Sequence, residues 1–226
     1  MVGEMNKIMK IIEGINKDSV FEQFQYKDEF IAKWKDYLNS INTKVTYFLK
    51  DETDKDQVYV YELPILGEKM EFDFSIKYIR DLYFKYPQCK KIIKFENVNG
   101  KLFNGDNECY FTPIEKKDIK SDYNDLSEAI IIPFPQGRYT FIAIDGNHRI
   151  NHQIYNGIKS IEVIYADYVL AAKALATPLQ ICTYCLIEDY FKIRYNLGKY
   201  EHKKILNTTN IVKKEKTLNI IQERNK

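Results

Sequence analysis

The sequence predicts a mixed α+β protein. It has a mixed-sheet domain near the centre and C-terminal half, an N-terminal α+β extension and C-terminal helices. Runs such as Val58 to Leu63 alternate with the two-residue period of a strand. Phe30, Trp34, Leu38 and Ile41 recur at helical spacing. Phe141-Ile-Ala-Ile-Asp-Gly-Asn-His-Arg149 runs directly into Ile150-Asn-His-Gln-Ile-Tyr-Asn-Gly157, a strand, a tight turn and a short helix closed by glycine.

In chain order, Ser19-Val-Phe-Glu22 reads as a capping box ahead of the Phe30 helix. Val45 to Leu49 and Val58 to Leu63 read as strands, separated by the solvated loop Asp51-Glu-Thr-Asp-Lys-Asp56. Its acidic spacing lacks the glycine and terminal glutamate of a calcium loop. Ser75 opens a second helix, with Ile76, Ile79 and Tyr83 on one face, which ends before Pro87. Lys91 to Phe95 is a short strand, Asn99-Gly100 a hairpin turn, and Glu108 to Thr112 another strand. Pro113-Ile-Glu-Lys-Lys-Asp-Ile119 leaves that strand for a loop. Ala129 to Phe134 and Tyr139 to Ile144 are partner strands around the turn Pro135 to Arg138. Ile150, Ile154 and Ile158 define the buried side of the helix after Asp145-Gly146, Gly157 caps its end, and Ile161 to Ala166 is the next strand. Val169 to Ala176 and Leu179 to Tyr195 are helices separated by Pro178, and the tail from Gly198 is a frayed helix or mobile. Three segments are expected: an extension over 1–105, a core over 106–168, and helices with a basic tail over 169–226.

With 226 residues and 45% apolar content, the chain is long and apolar enough for one good core, or one core plus a smaller unit. Its longest apolar runs are too short to span a bilayer, and Glu4, Lys7, Lys10, Glu13 and Lys17 interrupt any signal-peptide core. A cytoplasmic protein with no membrane partner is expected. A formal charge of +2 neither demands nor excludes nucleic acid. The 18 tyrosines, among many Lys, Ile and Asn, read as a compositional bias rather than stacking platforms for bases.

The cysteines stand at 89, 109, 182 and 185. Without a secretory signal they are not expected to form a disulfide framework. Cys182-Thr-Tyr-Cys185 has the spacing of a zinc or redox motif, but Leu179, Cys182 and Leu186 also recur as one face of a core helix.

Asp145 to His152 is the richest stretch chemically. Gly146 lets the backbone approach a ligand. Asn147 can cap the helix, and Arg149 can offer a two-pronged donor to phosphate oxygens. His148 and His152, four apart, share a side away from the isoleucines and could contact a phosphate or share a metal. A strand running into a helix start presents backbone N–H groups to an anion.

Ile144-Asp-Gly-Asn-His-Arg149, the helix to Gly157, and Ile161-Glu-Val163 resemble the phosphate-binding segment of the ParB/sulfiredoxin superfamily. The upstream Pro113 to Ile119 is similar to the short strand that opens that domain, and the resemblance covers about residues 108 to 168. It implies a small α+β domain that binds nucleotide phosphates, and hence ATP or another nucleotide with Mg2+. Members include nucleotide-dependent DNA partition proteins, ATP-dependent sulfinic acid reductases and serine kinases. Asn147 stands where sulfiredoxin has its cysteine, so sulfinate reduction is not expected. The Glu-Arg-Arg and following helix-turn-helix of partition proteins are not evident in the sequence.

Four functional readings follow. The first is a nucleotide-binding protein of the ATPase or phosphotransferase kind. Gly146, Asn147, His148, Arg149 and His152 would hold phosphates, with Asp145 and His148 as catalytic candidates. Glu115 or Asp118 could replace Asp145 as base or Mg2+ ligand. The second is a DNA-associated regulator or nuclease of a mobile element, with Lys203, Lys204, Lys213, Lys214 and Lys216 on phosphates. The third is a metal-dependent nuclease using His148 and His152, for which no third ligand is evident. The fourth is an interaction module that has lost its ligand.

Overall fold

The structure, a computed structural model, describes residues 2–42, 44–48, 58–119, 128–136, 139–213, 219 and 221. The fold is mixed α+β, as expected, and the chain divides into two compact units. One joins Met1–Ser75 with Ala172–Lys226, and the other is Ile76–Ala171.

The first unit is helical around one hairpin. Helix α1 (Val2–Asn16) is not among the elements expected above. It forms because Ile8, Ile11, Ile12 and Ile15 make a buried stripe at three- and four-residue spacing. The capping box at Ser19 does not form. The Asp18 carboxylate accepts from Val20 N (2.8 Å) and Phe21 N (3.1 Å), and a short 3-10 turn covers Phe21–Gln23. An ionised acceptor one position earlier outcompetes a hydroxyl. Helix α2 (Lys27–Ser40) buries Phe30, Trp34 and Leu38 of the expected face, together with Ile31, while Ile41 lies past its end and is half-buried. Residues 45–48 are not a strand: Tyr47 N donates to Ala176 O (2.7 Å), and alternation alone supplied no ladder partner. Leu49 and the acidic loop 51–56 lie outside the described residues.

Strands β1 (Val58–Ile65) and β2 (Glu68–Ser75) form an antiparallel hairpin around Leu66 and Gly67, both at positive φ. Helix α5 (Tyr168–Lys173) leads back into this unit. Helix α6 (Pro178–Asn196) starts where Thr177 Oγ1 accepts from Gln180 N (3.1 Å), with Pro178 in the first turn, where its missing N–H costs nothing. Most of α6 is buried, including Cys182 and Cys185, so these thiols are core residues. Burial pushes the Cys182 thiol above its ordinary range, which disfavours thiolate redox chemistry. Gln180 ties α6 to the hairpin, donating to Asp73 Oδ2 (2.9 Å) and accepting from Ala176 N (3.1 Å). Two short helices, α7 (His202–Leu206) and α8 (Asn210–Lys213), follow.

The second unit opens with α3 (Ile76–Lys85), which buries Ile76, Ile79 and Tyr83 as expected and ends ahead of Pro87. A closed six-stranded barrel follows, in the order β3-β4-β5-β7-β6-β8. Its strands are β3 (Ile92–Val98), β4 (Lys101–Asn104), β5 (Asn107–Tyr110), β6 (Ala129–Gln136), β7 (Tyr139–Asp145) and β8 (Ser160–Tyr165). The pairs β5–β7 and β6–β8 are parallel; the others are antiparallel. Asn99 and Gly100, both at positive φ, form the expected turn between β3 and β4. Strands β3 and β4 therefore share one barrel with β5 to β8, and position 105 lies in the β4–β5 turn rather than between separate sheets. Residues 137 and 138 of the expected β6–β7 turn lie outside the described residues.

Between β7 and β8 runs α4 (Asn147–Tyr155). Ile150 enters the barrel core with Phe95, Leu102, Cys109, Ala129, Ile131, Ala143, Ile161 and Val163; Ile154 is half-buried and Ile158 exposed. Gly157 takes a left-handed φ of 70°, as a C-terminal cap requires. Among the described residues, no helix is long and apolar enough to cross a membrane.

Candidate anion site at the start of helix α4

Strand β7 ends at Asp145, and Gly146 turns the chain into α4 with φ 79° and ψ 21°. A Cβ on Gly146 would meet Ala129 Cβ at 2.6 Å and Ala129 Cα at 2.7 Å. The glycine thus lets the turn pack against the start of β6. This is a close approach to protein, where the sequence suggested a close approach to ligand.

Asn147 does not cap the helix. Gly146 is the N-cap residue, and it has no side chain to cap with. Asn147 instead accepts from Thr112 N at 2.7 Å through Oδ1, and its Nδ2 donates to Ala143 O at 3.4 Å. Asn151, buried one turn on, accepts from Ile114 N (3.0 Å) and donates to Thr112 O (2.9 Å) and Asn147 O (2.7 Å). The two asparagines lash the segment after β5 to α4. Replacing Asn151 with alanine leaves the part-buried Ile114 N–H without its acceptor. An expected cost of about 1 kcal/mol should appear in urea unfolding, together with faster amide exchange at Thr112 and Ile114.

The charged centre lies before and within the first turn. Arg149 Nη2 donates to Asp145 Oδ2 at 3.3 Å. Arg80, on α3, reaches the same oxygen from the other side: Nε donates at 3.1 Å, and Nη2 makes a closer contact. The side chains of Arg149, Asp145 and Arg80 are 10%, 20% and 36% exposed, so the trio spans from interior to surface. Lys90 Nζ donates to Glu128 Oε1 at 2.6 Å. That bond, aided by the charges of Lys90 and Arg80, holds the Glu128 carboxyl below its ordinary range against desolvation. Two guanidinium groups thus converge on one Asp145 carboxylate oxygen beside the helix start.

The two histidines differ. His148 is half-buried in the first turn of α4; His152 is exposed and lies 3.1 Å from Asn156 Nδ2 through Nε2. Among the described residues, no three His, Cys, Asp or Glu side chains are grouped to hold a metal, so these histidines gain no third ligand, nor does Cys182-Cys185. Glu115 and Lys117 form an exposed ion pair at 2.7 Å, and Asp118 is an exposed residue of a short 3-10 turn. Lys203, Lys204 and Lys213 are exposed on α7 and α8; Lys214 and Lys216 lie outside the described residues.

Arg80 was missed by sequence reasoning, because it lies 65 positions before Asp145 on a helix read for its apolar face. A signal was present. The chain holds 34 lysines and arginines, only five of them arginine. Each arginine among the described residues, Arg80, Arg149 and Arg194, pairs with an aspartate. In a chain that uses lysine for solvated charge, arginine marks positions that need a planar, many-donor cation.

No protein-family model matches the chain, no curated protein is similar to it, and no solved structure matches it.

Proposed function

We propose that the start of α4 is a phosphate-binding site, and that this ParB/sulfiredoxin-like protein binds a nucleotide through it. The observation that supports this is the convergence of Arg80 and Arg149 on Asp145, at a helix start whose N-cap residue is a glycine. The positive end of the helix dipole and two guanidinium groups favour an anion there. In this reading Gly146, Asn147, His148 and Arg149 would hold the phosphates, with the exposed His152 one turn on. Asp145 orients the two arginines. In an ATPase or phosphotransferase, Asp145 and His148 are the acid–base candidates, and Mg2+ would enter with the phosphates.

Calorimetry with ATP, ADP and CTP in the presence of Mg2+ tests the proposal on the wild type, Arg80→Ala and Arg149→Ala. Saturable binding is expected, weakened about tenfold or more in each variant through loss of a charge-assisted hydrogen bond. Arg149→Lys, which keeps the charge and loses the fork, should fall between. Circular dichroism separates lost binding from lost folding. A folded wild type that binds none of the three nucleotides would refute nucleotide binding. Salt-dependent DNA binding through Lys203, Lys204 and Lys213 would then be the property to measure.

A further inference from the structure

A second site lies in the first unit, where α6 ends. Gly198 at φ 78° reverses the chain, and Tyr200 and α7 fold back beside the last turns of α6. Lys192, Asn196, Tyr200, Lys204, Ile205 and Thr208 line a cavity of about 350 Å3. That lies within the range of small-molecule sites, roughly 300–1,000 Å3. Ile205 is buried and supplies an apolar wall. Tyr200 supplies an aromatic one, 53% exposed.

The cations at this cavity differ in their commitments. Lys192 Nζ is held by Glu188 Oε1 at 2.9 Å and by Thr208 O at 3.3 Å. Lys204 Nζ lies 5.4 Å from the centroid of the Tyr200 ring, and no carboxylate among the described residues pairs with it. Two ammonium groups therefore meet one carboxylate, beside an aromatic face and an aliphatic wall. An uncompensated ammonium over an aromatic ring suits a monoanion whose apolar body can lie against that ring.

We propose that this cavity binds a small organic acid, with an aromatic or aliphatic body and a single carboxylate that pairs with Lys204. The carboxylate completes the charge balance and the body covers Tyr200 and Ile205. The size of the cavity suits a small molecule.

The test uses the full chain and 2-naphthoate, with the uncharged 2-naphthylmethanol as control, followed by calorimetry and ligand-observed NMR. Saturable naphthoate binding is expected, with the alcohol at least about fivefold weaker. Lys204→Gln should weaken naphthoate about fivefold, and Lys204→Glu should abolish it. Lys203→Gln, on the same helix but outside the cavity lining, should leave it unchanged. The proposal is overturned by absence of saturable binding, by equal affinity for the alcohol, or by equal loss in the Lys203 and Lys204 variants. Nucleotide binding at α4 is measured with different ligands and different variants, so either site can fail without the other.

Discussion

Gly146→Ala is expected to destabilise the barrel unit by about 3 kcal/mol. Two costs combine. A left-handed backbone, here φ 79°, costs an L-residue about 1–2 kcal/mol. The new methyl would also overlap Ala129 Cβ and Cα at 2.6 and 2.7 Å, and such overpacking costs about 1–3 kcal/mol. Ala129 begins β6 inside the barrel core, so it has little room to retreat. Arg149 Nη2, 2.9 Å from the same point, would also be displaced, so anion binding should fall with stability. Gly157→Ala is the control. Its φ is 70°, but nothing lies within 4 Å of the added methyl, so only the backbone cost of about 1 kcal/mol remains. Urea unfolding of both variants decides the matter. Equal losses would mean that the Ala129 contact carries no energy.

The second large effect concerns Asp189 on α6. Its carboxylate is fully buried and accepts from Asn210 N (2.6 Å), Asn210 Nδ2 (2.9 Å) and Ile211 N (3.1 Å), so it caps α8 from outside. Desolvation raises its pKa to about 7, from an ordinary 3.8. The Asn210 and Ile211 donors and Lys192 oppose the rise, and Glu188 adds to it. Lys33, Asp36 and Tyr37 of α2 line a cavity with Ile211 next to this cap.

A raised carboxyl pKa means that the folded chain holds the proton more tightly than the unfolded one. The associated stability is fully present below about pH 4, declines as pH rises, and is lost once pH passes about 7. Between about pH 5 and pH 8 the loss is on the order of 3 kcal/mol. Asp189→Asn keeps the shape of the side chain and cannot titrate. Its stability profile should therefore be flatter than that of the wild type between about pH 5 and pH 8. Urea unfolding at the two pH values measures both slopes. Parallel slopes would show that Asp189 is not the titrating group.

The legibility of the chain varied with the kind of signal. Asn99-Gly100, the end of α3 before Pro87, and Pro178 opening α6 were all readable, because each depends on local φ or a missing N–H. Helix α1 was readable in principle from its four isoleucines, but its charges drew attention to targeting instead. Strand β2 was hidden because it runs straight into α3, so the alternation of Met70, Phe72 and Phe74 passes into helical spacing from Ile76 without a turn residue between. At Ser19, local pattern named the wrong capping group, because Asp18 one residue earlier is the stronger acceptor.

The sequence by itself determined the α+β class, the strand–glycine–helix unit around Asp145, and Arg149 as a cation of its first turn. Those follow from spacing and backbone geometry within some twenty residues. Only the tertiary structure decided that the strands close into a barrel, that Ala129 makes Gly146 indispensable, and that Arg80 joins Arg149 on one carboxylate oxygen. It also reassigned Asn147 from helix cap to clamp on Thr112. The physical reason is range. Backbone propensity is written residue by residue, whereas barrel closure, packing distance and ion pairing depend on which distant segments the buried apolar surface brings together.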